Sequence, residues 1–163
     1  GLFFSWIGDI VLEIEKNGEM MFMIGLTFFL LAQVSYFIAF IMTPGNGWPL
    51  KKLIMMILPV VIYGIFLLAF IYRDLGEMRL PVVIYALVIL AMLATAITRG
   101  GKTGIASFWL VLAGATLFVL SDSLLAVNKF SYAIPAAPVL IMSTYVLGQF
   151  LIVIGFLRQT GNR

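Results

Sequence analysis

Residues 105–127 read Ile-Ala-Ser-Phe-Trp-Leu-Val-Leu-Ala-Gly-Ala-Thr-Leu-Phe-Val-Leu-Ser-Asp-Ser-Leu-Leu-Ala-Val. At about 1.5 Å of rise per residue, this run spans roughly 34 Å as a helix, enough to cross a hydrocarbon core of about 30 Å. It contains one charged side chain, Asp122. A carboxyl group at membrane depth costs about 2.5–3.5 kcal/mol on insertion scales, and such residues usually face a cavity and have a task.

The rest of the chain matches this segment. Its 163 residues are 63% hydrophobic and 10% charged, far more apolar than a soluble core of this size requires, so lipid is the solvent for the outer surface. Six apolar runs follow one another: approximately 1–14, 20–42, 53–72, 81–98, 105–127 and 138–157. Thr43-Pro44-Gly45-Asn46-Gly47, Arg73-Asp74-Leu75-Gly76, Arg99-Gly100-Gly101-Lys102 and the stretch from Pro135 to Pro138 punctuate them. The runs are too long and too continuously apolar for barrel strands. The expectation is an all-α, multi-pass transmembrane bundle of about six helices. No linker divides residues 1–163, so they are read as one transmembrane helical domain. The first run rises only about 21 Å and starts Gly-Leu-Phe-Phe, which predicts that it is truncated and that upstream helices precede it.

Composition excludes several chemistries. Cysteine and histidine are absent, which removes thiol nucleophiles, histidine bases and the usual zinc and heme ligands. No metal and no cofactor are expected, since a carboxylate site would have only seven acids to draw on. The net charge of +3 is spread over short loops and suits anionic lipid headgroups rather than nucleic acid. The loops after segments 1, 3 and 5 carry Lys16, Arg73, Arg79 and Lys129; the opposite face carries Lys51, Lys52, Arg99, Lys102, Arg158 and Arg163. The richer face, with the carboxyl terminus, is predicted to be cytoplasmic, in the plasma membrane if the source is bacterial. Oligomeric state has no signature here.

Asp9 is the second intramembrane acid. Segments 1 and 5 run in the same direction, and each acid lies about five residues from the exit of its segment, roughly 8 Å inside the same face. Their surroundings echo each other: Gly1 and Gly114 eight positions before, Gly8 and Ser121 immediately before, Leu12 and Leu125 three after. Tyr85 enters segment 4 from that face. Tyr145 and Gln149 share a stripe of segment 6 at i, i+4 spacing, and Gln33 and Tyr36 lie deeper in segment 2. These residues predict a pocket in one membrane half, with two carboxyls, phenols and amides between apolar walls, suited to an amphiphile.

Structural roles compete with functional ones. Tyr72, Tyr132, Trp48 and Trp109 read as interfacial anchors. Ser107, Thr116, Ser121 and Ser143 read as back-bonded or packed small residues, and Gly114, Gly148 and Gly155 as points of close helix approach. Asp122 would, as a purely structural acid, be satisfied by Ser121, Lys129 or water, and Glu13 is near enough to the interface to be solvated.

Five stretches carry a resemblance: Gly1-Leu-Phe-Phe-Ser-Trp-Ile-Gly-Asp9, Leu31-Ala-Gln33-Val-Ser-Tyr36, Pro81-Val-Val-Ile-Tyr85, Gly114-Ala-Thr-Leu-Phe-Val-Leu-Ser121-Asp122-Ser-Leu-Leu-Ala, and Tyr145-Val-Leu-Gly-Gln149. In this order, over nearly the whole chain, they resemble the lysoplasmalogenase-like (YhhN-like) integral membrane family. The resemblance implies about eight helices in the complete protein, and hydrolysis of the vinyl ether bond of lysoplasmalogens to a fatty aldehyde and glycerophosphoethanolamine or glycerophosphocholine. It assigns the paired acidic motifs to Asp9 and Asp122. The family often has His where this chain has Gln33, so a mechanism built on that His does not transfer.

Vinyl ether hydrolysis needs an acid to protonate the β-carbon and an anion to stabilise the resulting cation or activate water. Two carboxyls in different environments can supply both. Asp122 is the expected acid and Asp9 its ionised partner, an order the sequence does not fix and that the reverse assignment also fits, with Tyr36, Tyr85, Tyr145, Gln149, Gln33 and Ser121 as candidates for substrate binding or orientation. Two rival classes make different predictions: a proton-coupled transporter would show pH-gradient-dependent flux without turnover, and a non-catalytic lipid-binding protein would tolerate loss of both aspartates.

Overall fold

In the computed structural model, residues 1–14 and 19–160 are described. Six α-helices follow in order: α1 Leu2–Ile14, α2 Glu19–Ile41, α3 Leu50–Ile71, α4 Arg79–Thr98, α5 Ile105–Phe130 and α6 Ala137–Thr160, with a short 3-10 turn at Gly76–Met78. Among the described residues there is no strand, and α2 to α6 are each long and apolar enough to cross a membrane. Glu15, Lys16 and Arg163, used in assigning orientation, lie outside the described residues.

Two boundaries differ instructively from the sequence expectation. Helix α3 starts at Leu50 because Pro49, with φ −61°, sits at its N-cap; Lys51 and Lys52 therefore belong to its first turn, and the Lys52 ammonium lies 3.5 Å from the Trp48 ring centroid. Helix α5 continues to Phe130. Lys129 suits the negative end of the helix dipole, Phe130 packs edge-on against Phe22, and the Asn128 side chain accepts the Ile134 amide at 2.9 Å beyond the end. Asp122 is thus eight residues from its helix end rather than five, about 12 Å deep along the axis.

Neighbouring helices pack as α1 on α2, α2 on α4, α4 on α5 and α5 on α6, with α3 outside against α4 and α5. Side chains of α6 reach α1 and close the ring. The core between them is aromatic and aliphatic: Phe40, Met92, Val111, Phe118 and Ile152 are fully buried, with Tyr36, Tyr85 and Tyr145 beside them. Helix α3 buries only Gly64 and Ile71 and leaves most of its apolar side chains outward, as lipid permits.

Helices α5 and α6 approach most closely. A Cβ on Gly114 would stand 2.6 Å from the Gly148 carbonyl oxygen, and one on Gly148 would stand 2.9 Å from that of Gly114. Without a hydrophobic drive between helices in lipid, such backbone contact supplies the packing. On the opposite face to the acids, the α2–α3 loop clamps the α4–α5 turn: the Trp48 amide donates to the Gly100 carbonyl at 2.9 Å, and the Trp48 ring covers Gly100 and Gly101 and meets Phe108 edge-on at 4.8 Å. Gly101, at φ +82°, adopts the left-handed conformation that makes this turn. Trp48 is therefore a packing wedge, whereas Trp109 is exposed on the apolar surface.

Candidate active site

Asp9 projects from α1 and Asp122 from α5, and each carboxylate accepts a hydrogen bond from a tyrosine on another helix. Tyr145 of α6 donates to Asp9 Oδ2 at 2.9 Å. Tyr85 of α4 donates to Asp122 Oδ2. Asp9 and Asp122 lie within electrostatic range of each other, and both retain part of their surface. Five helices converge here because the polar positions recur at helical spacing on the faces turned inward.

Two of these faces mesh as a ladder. Ser5 and Asp9 form an i, i+4 stripe on α1, facing the Tyr145–Gln149 stripe of the antiparallel α6. Gln149 Nε2 donates to Ser5 Oγ at 2.7 Å, one rung from the Tyr145–Asp9 bond. Tyr36 of α2 donates to Gln149 Oε1. The Tyr145 ring is wedged edge-on between Phe29, 5.9 Å away, and Phe118, 5.4 Å away, which fixes the phenol that meets Asp9. Ser5, nearly fully buried, was not among the sequence candidates. Its position four residues before Asp9 was the available signal.

Gln33 lies wholly buried in α2, with its amide against the Tyr85 phenol but in full hydrogen-bond geometry with no group. Ser121 is occupied elsewhere: its hydroxyl donates to the Ile141 carbonyl of α6 at 3.0 Å. Ser123, missed by the sequence reading, accepts from Tyr63 of α3 at 2.7 Å and donates to the Val119 carbonyl at 2.7 Å, fastening the outlying α3 to α5. The sequence echo around the two acids does not extend to packing, since Gly8 rests on Phe29 while Ser121 bonds α6. Both acids nevertheless end on a tyrosine. Among the described residues no three Asp or Glu side chains converge as metal ligands.

The space beside Asp122 is small. Two cavities of about 40 and 50 Å³ border Asp122 and Tyr85, enough for water and too little for a lipid chain. A larger apolar groove of about 370 Å³ runs between α2 and α4, along Met23, Ile24, Thr27, Pro81 and Ile84, and ends on Tyr85.

Fold and site together define a multi-pass membrane protein with a phenol-braced carboxyl pair inside the bilayer. The chain belongs to the YhhN family, whose model matches residues 1–156. It is 36% identical to lysoplasmalogenase TMEM86A of Bos taurus over 157 residues, covering 93% of this chain and 61% of that protein. It is 34% identical to lysoplasmalogenase TMEM86B of Homo sapiens over 104 residues, 64% of this chain and 33% of that protein. The chain thus spans less than two thirds of the length of these relatives. No solved structure gives a significant match.

Proposed function

We propose that this protein is a membrane hydrolase that cleaves the vinyl ether bond of lysoplasmalogens, releasing a fatty aldehyde and glycerophosphoethanolamine or glycerophosphocholine. The observation that carries the reading is the pair of carboxyls from α1 and α5, each held by a phenol from a different helix and within electrostatic range of each other. The names of the relatives support the same substrate class.

Asp122 is the general acid. Tyr85 donates to Oδ2, leaving Oδ1 to carry the proton toward the β-carbon of the alkenyl chain. Protonation there moves the π electrons to form the new C–H bond and leaves an oxocarbenium ion, as in glycoside cleavage. Asp9, anchored through Oδ2 by Tyr145, keeps its other oxygen to accept a proton from water. That water adds to the cationic carbon and gives a hemiacetal, which breaks its C–O bond to yield aldehyde and glycerol hydroxyl. In that collapse Asp9 gives its proton to the departing glycerol oxygen while Asp122 takes the hemiacetal hydroxyl proton, so both carboxyls return to their starting state.

The alkenyl chain reaches the acids along the α2–α4 groove, past the unbranched and supple Met20 and Met23. The Gln33 amide, against the Tyr85 phenol, takes a polar atom of the glycerol backbone. Tyr36, Gln149 and Ser5 position Tyr145 and α1. The face bearing Lys51, Lys52, Lys102 and Arg158 is cytoplasmic, by its excess of basic residues.

The test is aldehyde release from a lysoplasmalogen by wild type, Asp9→Asn and Asp122→Asn in detergent. Each substitution is expected to lower turnover by about 10²–10⁴-fold, the usual contribution of a positioned acid or base. Full turnover by both folded variants overturns the mechanism.

A further inference from the structure

A second polar site lies at the other end of the bundle. Arg99, at the end of α4, is fully buried. Its Nη2 donates to Gln159 Oε1 at 2.7 Å and Ser107 Oγ at 3.2 Å, while Nε and Nη1 have no hydrogen-bond partner. Phe40 and Phe156 flank the guanidinium, each ring centroid 5.4 Å away. Burial lowers it only to about 10, so it is a cation at neutral pH, and among the described residues no carboxylate pairs with it. A buried, unpaired cation is costly unless something compensates it.

The partners of Arg99 form one wall of a cavity of about 1150 Å³. Lys102 and Arg158 border the same cavity, as does Thr103, whose hydroxyl is buried without a partner. The first turn of α5 opens into it through Ile105, Ala106 and Ser107, and the N-cap Gly104 has no side chain to cap their amides. Free amides and the positive end of a 26-residue helix favour an anion at that point. Two cations, an unpaired hydroxyl and a helix N-terminus thus border one space, with the buried Arg99 behind its Ser107–Gln159 wall, and among the described residues no acid lines it. The exposed apolar residues Ile105 and Leu157 form its rim.

From this convergence we infer that the cavity between the α4–α5 turn and the end of α6 is a binding site for a phosphate group, carried by an anionic phospholipid headgroup or free in solution. It is separate from the carboxyl pair. Ser107 and Asp122 are fifteen residues apart on α5, about 22 Å of rise. In a lysoplasmalogen, seven bonds separate phosphorus from the vinyl β-carbon, about 9 Å at full extension, so one molecule does not span both sites. The inference therefore stands whether or not the protein is a lysoplasmalogenase. The basic face and the apolar rim suit a lipid of that leaflet, with its phosphate among the cations and its chains alongside Ile105 and Leu157.

The test compares thermal unfolding and native mass spectra of the protein in a neutral detergent with added phosphatidylglycerol, phosphatidylcholine or inorganic phosphate, for wild type, Lys102→Gln/Arg158→Gln and Arg99→Gln. Wild type is expected to retain phosphatidylglycerol and to unfold several degrees higher with it than with phosphatidylcholine. The surface double variant, which leaves the buried core intact, is expected to bind it at least tenfold more weakly. Stabilisation by phosphatidylglycerol alone identifies a lipid site, and equal stabilisation by inorganic phosphate identifies a free-anion site; both depend on Lys102 and Arg158. The inference is overturned if neither anion stabilises wild type beyond phosphatidylcholine, or if the folded double variant binds phosphatidylglycerol as tightly as wild type.

Discussion

Tyr145→Phe isolates one hydrogen bond of the carboxyl site. The substitution keeps the ring wedged between Phe29 and Phe118 and removes only the hydroxyl that donates to Asp9 at 2.9 Å. A hydrogen bond to a charged group contributes about 1.5–3 kcal/mol. Asp9 keeps part of its surface open, so screening puts the expected loss in the lower half of that range, about 1.5–2.2 kcal/mol. At 1.36 kcal/mol per factor of ten, turnover falls by roughly 10- to 40-fold. The assay is initial-rate aldehyde release, with melting in detergent as the check on folding. The decisive arm is a double-mutant cycle: if Tyr145 acts through Asp9, adding Tyr145→Phe to Asp9→Asn costs little more than Asp9→Asn alone. Fully additive losses, or unchanged turnover in a well-folded Tyr145→Phe protein, would refute the reasoning.

Other sites give contrasting outcomes. Gln33→Leu removes an amide that lies against Tyr85 without full hydrogen-bond geometry, so melting is expected to stay level or rise by about 1 kcal/mol of stability, while KM for the lysophospholipid increases; a clear loss of stability would show that the amide is already satisfied. Tyr63→Phe deletes the 2.7 Å bond to Ser123 and should cost about 0.5–1.5 kcal/mol of stability with turnover retained, as read by paired melting and aldehyde assays. Gly114→Val forces a side chain to within 2.6 Å of the Gly148 carbonyl; backbone cannot yield as a side chain does, so α5 and α6 must part at a cost of about 1–3 kcal/mol or more, visible as a drop in melting temperature.

Some features followed from composition and periodicity alone. A chain with 63% hydrophobic residues in six runs has few options in lipid, because every backbone amide must be satisfied within its own helix. The helices therefore occur where the runs do. Intramembrane acids stand out in sequence for the same reason: desolvation makes each one expensive, so Asp9 and Asp122 were conspicuous, and the i, i+4 spacing of Tyr145 and Gln149 placed both on one stripe.

Which side chain met which was decided only by helix packing. No local rule pairs Tyr85 with Asp122 across 37 residues or Tyr145 with Asp9 across 136, and none assigns Ser121 to the Ile141 carbonyl instead of the acid beside it. The small cavities at Asp122 and the unpaired Arg99 behind a large one were equally invisible. Arg99 looked in sequence like one more loop cation. Hydropathy selects segments one residue at a time, whereas partners, voids and unpaired groups arise from the relative rotation and contact of whole helices, which the Gly114–Gly148 approach and the wedge of Trp48 on Gly100 set here.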